Sequence, residues 1–229
     1  MKNVAQLKDK IKNLAIDLKI PTQVVLQNYM LERLLERISK SKYNENFILK
    51  GGYLVASMLG LSTRSTMDID ATIKSFSVTE SSIRTMFLEI ILIPVDDNIK
   101  FELSNIKEIR EKDEYNGFRI LFFANFESMK IPIKIDITTG DEITPKEIIY
   151  DYKMLFEDRH LKVFLYNLET LLAEKLETII SRSTENTRAR DFYDVYILLK
   201  VKNNKINLPI LKNALEKTAK KTKFRTRIL

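Results

Sequence analysis

The chain has 229 residues, of which 45% are hydrophobic and 30% charged, so it is long enough for one large or two small globular domains. It has no cysteine, which excludes disulfide bonds and thiolate zinc sites. The N-terminus lacks the apolar core of a signal peptide, and no segment approaches ~18 uncharged apolar residues, so we expect a cytoplasmic protein without a membrane span.

The net charge of +7 is concentrated at the C-terminal end. Residues 200–229 contain ten Lys or Arg and one acid, Glu216, which gives +9 and leaves −2 for the rest of the chain. Such an end suits contact with RNA phosphates, but it is equally typical of the solvated face of a surface helix.

The first 40 residues are predicted to form two helices. The second begins near Pro21, a residue that suits the first position of a helix. Its core-facing stripe follows the i, i+3, i+4, i+7 spacing and consists of Leu31, Leu34, Leu35 and Ile38.

A glycine pair and a strand follow. Gly51–Gly52 precedes a predicted helix over residues 53–60, and STMDIDATI at 65–73 reads as a strand. The next helix is predicted from about Thr79, a good N-cap residue, to about Ile91.

Residues 99–140 have the pattern of strands. FRILFFANF reads as a core strand, and in IPIKIDITTG four isoleucines alternate with Pro, Lys, Asp and Thr. The isoleucines are expected to fill the core, which leaves Asp136 on the opposite face, beside Lys134.

After about residue 166 the chain is predicted to be helical. NLETLLAEKLETIISR and RARDFYDVYILLK are two strongly patterned helices joined by the polar STENT. The sequence therefore predicts an α+β fold, with a small mixed sheet and flanking helices over residues 1–160 and a helical region over 161–229.

Two aspartates alternate on the strand at 65–73. Period two places Asp68 and Asp70 on one face and the apolar residues Met67, Ile69 and Ala71 on the other. Mg²⁺ commonly takes one or two protein carboxylates and fills its other sites with substrate phosphates and water. Asp136 could supply a third carboxylate, a set that suits metal-assisted phosphoryl transfer.

The glycine pair Gly51–Gly52 would let backbone N–H groups approach a phosphate at the positive end of a helix. A D-x-D in a strand is often only an exposed pair, and a glycine pair is often only a turn. In this order and at this distance, the two together favour nucleotidyl transfer.

This order of motifs resembles the polymerase-beta nucleotidyltransferase superfamily and implies its core fold. One branch matches more fully: YMLERLLERISKSKYNENFILKGGYLVASMLGLSTRSTMDID, ETLLAEKLETIISR and RARDFYDVYILLK are similar to the AbiEii/AbiGii toxin family, which has the MenT toxins as relatives. The resemblance spans roughly residues 20–227. Members usually continue into further helices, so we expect a shortened or truncated member.

The resemblance implies roles for the residues of the predicted sheet. Asp68 and Asp70 would bind Mg²⁺ and act in catalysis, and Asp136 would be the third metal-binding and catalytic carboxylate. Gly51 and Gly52 would face the triphosphate.

Further roles fall on the lead-in to the strand and on the C-terminal helices. Arg64 and Ser65 would contact the nucleotide. Lys175 and Asp191 would be catalytic, and Lys175 and Arg190 would also bind the nucleotide.

The pattern of its own helix supports Lys175 independently, because the residue lies inside the apolar stripe of Leu168, Leu171, Leu172 and Ile179. A lysine in a buried face needs a partner for its charge, and triphosphate oxygens would provide one. The alternative is a stem that packs while the ammonium reaches solvent.

The following helix has an apolar stripe with acids along one edge. Asp191 and Asp194 are either functional residues or acids that complement the helix dipole, and the resemblance favours Asp191 as functional. The stripe consists of Phe192, Val195, Tyr196 and Leu199.

The resemblance also implies a function. The protein would be the nucleotidyltransferase toxin of a type IV toxin–antitoxin or phage-defence (abortive infection) system, with an AbiEi-type antitoxin as partner. It would transfer a nucleotide from an NTP, with GTP or CTP as candidates, to tRNA. Two alternatives stay open: a small-molecule or protein acceptor at the same metal site, and a non-catalytic module that binds nucleic acid or a partner through its basic end.

Overall fold

The computed structural model of the protein describes residues 3–109, 117–182 and 189–221. The predicted linker STENT and the last eight residues of the basic end lie outside these ranges. The described helices are α1 (Val4–Leu18), α2 (Thr22–Lys40), α3 (Gly51–Leu59), α4 (Glu80–Ile91), α5 (Leu168–Arg182), α6 (Ala189–Lys202) and α7 (Leu208–Lys221).

The strands of these ranges form one mixed sheet in the order β3-β4-β5-β2-β1-β7-β6. The predicted α+β fold is confirmed, and the helices expected near Pro21, residue 53 and Thr79 begin within two residues of those positions. The strands are β1 (Phe47–Lys50), β2 (Ile69–Ile73), β3 (Lys100–Ile109), β4 (Gly117–Phe126), β5 (Met129–Thr139), β6 (Ile148–Lys153) and β7 (His160–Leu165).

The chain divides into two compact units. The first contains residues up to 140 together with 149–164, and the second contains 141–148 and the chain from residue 165 onward. The domain limits expected at residues 160 and 161 remain a prediction. None of the described helices is both long enough and apolar enough to cross a membrane.

The alternation in β5 fixes which face of the sheet is the core. Ile133, Ile135 and Ile137 are buried, so the polar residues between them lie on the opposite face. Ile69 and Ala71 of β2 are buried in the same way, but Met67, expected to join them, is 45% exposed. It precedes the first residue of β2, where the alternation of a strand does not yet apply.

Helix α2 is buried over most of its length, including its charged residues. The predicted stripe of Leu31, Leu34, Leu35 and Ile38 is confirmed as core. Arg37 is tolerated inside because its guanidinium donates two hydrogen bonds, of 2.7 and 2.9 Å, to the carboxylate of Asp97.

The N-terminal part of α2 also ties down the segments that carry the polar face of the sheet. The side-chain amide of Asn28 donates to the carbonyl of Thr66 at 2.7 Å, just before β2. The amide of Gln27 donates to the carbonyl of Pro132 in β5 at 2.7 Å.

In the second unit, α5 is anchored at its start by Asn167. Its side-chain oxygen accepts a hydrogen bond from the N–H of Thr170 at 2.8 Å, and its amide donates to the carbonyls of Thr144 and Lys146 at 2.8 Å. The segment 141–148 is thereby fastened to α5.

Candidate active site

Parallel pairing of β2 with β5 brings the predicted carboxylates together. Asp70 and Asp136 are partners in the register, so their side chains lie on the same face of neighbouring strands. Asp68 comes two residues before Asp70 and interacts electrostatically with it. Asp70 and Asp136 therefore share one face of the sheet, while Asp68 lies just before β2, and the joint role of the three carboxylates remains a prediction.

Asp70 is the most strongly perturbed of the three. Burial, and next the negative charge of Asp68, raise the pKa of the Asp70 carboxyl from 3.8 to about 6. The negative charge of Asp136 adds to this rise. The positive charge of Lys50, which is the register partner of Asp70 on β1, opposes it. Burial and the neighbouring negative charges therefore both disfavour the ionised form of Asp70.

Two side-chain cations lie on the other two carboxylates. The ammonium of Lys134 is 2.8 Å from Oδ2 of Asp68 and 4.0 Å from Oδ2 of Asp136. Arg119 donates to both oxygens of Asp136, at 2.8 and 2.7 Å, and this hydrogen bonding raises the pKa of the guanidinium. Arg119 was missed in the sequence, because only the register of β4 with β5 places it opposite Asp136.

The first glycine of the pair is required by a close approach. Gly51 has φ +64°, and a Cβ at this position would lie 2.2 Å from Oδ2 of Asp70. The N–H of Gly52 donates to the same oxygen at 3.3 Å. The start of α3 is therefore in direct contact with the aspartate face.

The lead-in to β2 also contributes to this place. Arg64 is buried and donates to the carbonyl of Ser65 at 2.5 Å. A Cβ on Gly52 would be 3.0 Å from Nη2 of Arg64, so the guanidinium lies against the glycine pair. The hydroxyl of Ser65 donates to a carbonyl of its own turn, whereas that of Thr66 donates to Oδ1 of Asp68 at 3.1 Å.

The residues present fit a divalent cation held by a pair of carboxylates. Asp68 and Asp70 repel each other on one face, and the raised pKa of Asp70 marks a place where a cation would be favourable. Among residues 3–109, 117–182 and 189–221, no three acidic or histidine side chains lie together as a ready metal cluster. Metal binding by Asp136, which is engaged by Arg119, remains a prediction.

Lys175 and Asp191, the predicted functional residues of the second unit, contact each other. The ammonium of Lys175 is 2.8 Å from Oδ1 of Asp191 and 2.9 Å from Oδ2 of Asp194. Burial alone would lower the pKa of Lys175, but the two carboxylates outweigh it and the pKa is raised. The expected burial of Lys175 is confirmed, and the partners of its charge are these two aspartates.

Helix α6 carries these acids on its inner face. Asp191, Asp194 and Leu198 are buried, whereas most of the apolar stripe that the sequence indicated is exposed. The expectation that the acids only flank a packed apolar stripe is wrong in this respect, because pairing with Lys175 draws them inward. Arg190, the predicted nucleotide ligand beside Asp191, is exposed.

We expect Lys175→Met to destabilise the protein by about 3–5 kcal/mol, since it leaves two buried carboxylates without their cation. Urea denaturation at pH 7 measures the change. The matched control is Lys200→Met, which removes an exposed lysine from α6 and should shift the free energy of unfolding by about 0.5 kcal/mol or less. Equal losses in the two variants would contradict the buried ion pairs.

Solved structures similar to this one include two from Helicobacter pylori. JHP933 has a TM-score of 0.53 and 17% identity, with 88% of this chain and 77% of that chain covered. A protein described as a nucleotidyltransferase has a TM-score of 0.54 and 17% identity, with 90% and 80% covered. The antibiotic-resistance factor ANT(2'')-Ia has a TM-score of 0.46 and 12% identity, with 88% and 94% covered.

At these identities the likeness to the two Helicobacter pylori structures concerns the fold alone. No curated protein sequence matches the chain significantly. The family described as "Nucleotidyl transferase AbiEii toxin, Type IV TA system" matches residues 33–228, a range that contains every predicted site residue. The chain therefore belongs to the AbiEii family of nucleotidyltransferase toxins from type IV toxin–antitoxin systems.

Proposed function

We propose that the protein is a Mg²⁺-dependent nucleotidyltransferase that transfers a nucleotide from an NTP, GTP or CTP, to tRNA. The observation that carries the proposal is the contact between the aspartate face of β2 and β5 and the glycine pair that begins α3. Metal ligands and a phosphate-binding helix end at one place are the parts that nucleotidyl transfer needs.

Asp68 and Asp70 would hold Mg²⁺, with Asp136 as the third carboxylate. A bound Mg²⁺ neutralises triphosphate charge and orients the phosphates. Lys134 lies on Asp68 and Arg119 lies on Asp136, so these two cations compensate part of the negative charge of the proposed metal site.

Gly51, Gly52 and Arg64 would bind the triphosphate. Because neither glycine has a Cβ, a phosphate would be able to approach the positive end of α3 closely, at the place where the N–H of Gly52 now donates to Asp70. The guanidinium of Arg64 is held against Gly52, which gives the same place a permanent positive charge. Ser65 would be a further ligand through its backbone or hydroxyl.

Lys175 and Asp191 of the second unit would be catalytic, and Lys175 and Arg190 would bind the nucleotide. The buried carboxylates of Asp191 and Asp194 hold the ammonium of Lys175 in one position. Oδ2 of Asp191 is buried without a hydrogen-bond partner among the described residues, so one acceptor of this cluster is not used by the protein itself. The side chain of Arg190 is exposed and would contact nucleotide phosphates.

The biological setting belongs to the same proposal. The family is that of a type IV toxin, so an antitoxin is its partner, and we propose that this is an AbiEi-type protein and that the pair acts in the cytoplasm in abortive infection by phage. The basic residues that follow α6 support an RNA acceptor through their charge.

The test is a transfer assay with each NTP labelled at the α-phosphate, total bacterial RNA and Mg²⁺. Label should enter tRNA-sized RNA, while the same NTP labelled at the γ-phosphate should give none, since pyrophosphate leaves. EDTA and the variant Asp68→Ala/Asp70→Ala should both reduce incorporation by roughly 1000-fold or more.

If label entered proteins or small molecules but not RNA, the proposed RNA acceptor would be wrong, while the proposed metal site would still be supported. Undiminished transfer by the double variant, whose folding is checked by circular dichroism, would contradict the site itself.

A further inference from the structure

Helix α6 presents an aromatic stripe to solvent. Phe192, Tyr196 and Leu199 lie one above another on its outer side, because their spacing is i, i+4, i+7. They are 49%, 57% and 42% exposed, and Tyr193 beside them is 41% exposed. Side chains of this size are not usually left in water as a continuous row, so the stripe points to a ligand.

The charge of this helix selects the class of ligand. Its two acids, Asp191 and Asp194, are on the buried side and are bound to Lys175. Its exposed charges are therefore the cations, such as Arg190 and Lys200. Beyond α6 the described chain continues with Lys205 and α7, and the only acid after Asp194 in the sequence is Glu216. This excess of positive charge favours an anionic ligand.

One cation is already placed over the stripe. The ammonium of Lys200 is 5.6 Å from the centre of the Tyr196 ring and donates to the Tyr196 hydroxyl at 3.4 Å. A flat ring with a positive charge at its edge can stack with a base and bind the adjoining phosphate at the same time. An acidic peptide would match the charge but not the row of rings.

We propose that this aromatic stripe, Phe192, Tyr193, Tyr196 and Leu199 together with Lys200, is a binding surface for single-stranded RNA. Bases stack on the tyrosine and phenylalanine rings, and the lysine binds the phosphate backbone. That the RNA is an acceptor for nucleotide transfer rests on the proposed function. The surface itself requires no metal or NTP.

The test measures binding of a labelled 12-nucleotide unstructured RNA by fluorescence anisotropy, without NTP or Mg²⁺. The probe for stacking is a strand of equal length in which all twelve positions are abasic. Because only the natural strand can stack, we expect it to bind about 5-fold tighter or more. Equal affinity for the two strands would overturn the proposal.

The side chains are tested by single variants whose folding is checked by circular dichroism. Tyr196→Ala should weaken binding of the natural strand roughly 10-fold and that of the abasic strand by less than about 2-fold. Lys200→Gln should reduce the slope of log K against log salt by roughly 0.7. The control, Leu92→Ala, removes an apolar side chain that is 80% exposed in the first unit, and it should bind as wild type.

Two outcomes separate this inference from its neighbours. The variant Asp68→Ala/Asp70→Ala should bind RNA as wild type, so a failed transfer assay with intact, Tyr196-dependent RNA binding would contradict only the proposed function. A concentration-dependent dimer that Tyr196→Ala dissolves, together with RNA binding that this variant does not change, would assign the stripe to an interface between copies and overturn the proposal.

Discussion

Replacing Asp70 with asparagine is expected to abolish nucleotide transfer while leaving the protein folded. The side chain keeps its size but loses the charge that would hold a cation beside Asp68, so the rate should fall by roughly 1000-fold or more. The transfer assay with α-labelled NTP measures the loss. A rate within 10-fold of wild type would contradict a metal-binding role for Asp70.

The same substitution should also stabilise the protein at neutral pH without divalent cations. The pKa of Asp70 is about 6 in the folded protein against 3.8 as its ordinary value, so folding binds a proton that the unfolded chain has released. The stability that this group contributes is present below about pH 4 and is lost as the pH rises through about 6. Asp70→Asn removes that loss.

We therefore expect Asp70→Asn to exceed wild type by roughly 1–3 kcal/mol above pH 7 and to match it near pH 4, in urea denaturation at both pH values. Asp136→Asn is the control, because it removes the charge and one of the two oxygens that accept from Arg119, so it should lower stability at neutral pH. If Asp70→Asn destabilised the protein at pH 7, the inference that the folded protein disfavours the ionised form of Asp70 would be wrong.

Gly51→Ala is expected to inactivate the protein by displacing the carboxylate of Asp70, which is distant from Gly51 in the sequence. The new Cβ would lie 2.2 Å from Oδ2 of Asp70, so either the carboxylate or the start of α3 must move. Catalytic groups need placement within fractions of an ångström, and we expect a loss of about 100-fold or more in transfer rate.

Gly60 provides the matched control. It also has a positive φ, +90°, but a Cβ there would meet nothing within 4 Å. Both alanine variants should lose about 1–2 kcal/mol of stability from backbone strain, and only Gly51→Ala should lose activity. Similar activity in the two variants would mean that the contact between Gly51 and Asp70 has no functional role.

The carboxylate face could be predicted because its determinants are local. The alternation of isoleucines with Asp136, and of Ile69 with Asp70, sets the face of each strand from a few neighbouring residues. In the same way, the pair Gly51–Gly52 predicts the start of a helix, α3. Arg119 could not be found in this way, since its pairing with Asp136 depends on the register between β4 and β5.

The orientation of α6 could not be predicted for a different reason. Assignment of a helix face assumes that apolar side chains decide which side is buried. Here the buried ammonium of Lys175 requires carboxylates around it, and Asp191 and Asp194 meet that requirement from α6. The charge on one helix therefore determined the rotation of its neighbour, and this is visible only when both are packed.

The hydrogen bond from Asn28 to Thr66 has a practical consequence for any attempt to shorten this protein. The family match starts at residue 33, in the middle of α2, so a version trimmed to that boundary would keep every motif residue. It would lose Asn28, which holds the backbone just before β2, and Thr66, which in turn orients Asp68, would be released. We therefore expect a functional fragment to include Asn28, and so to begin before the family match at residue 33.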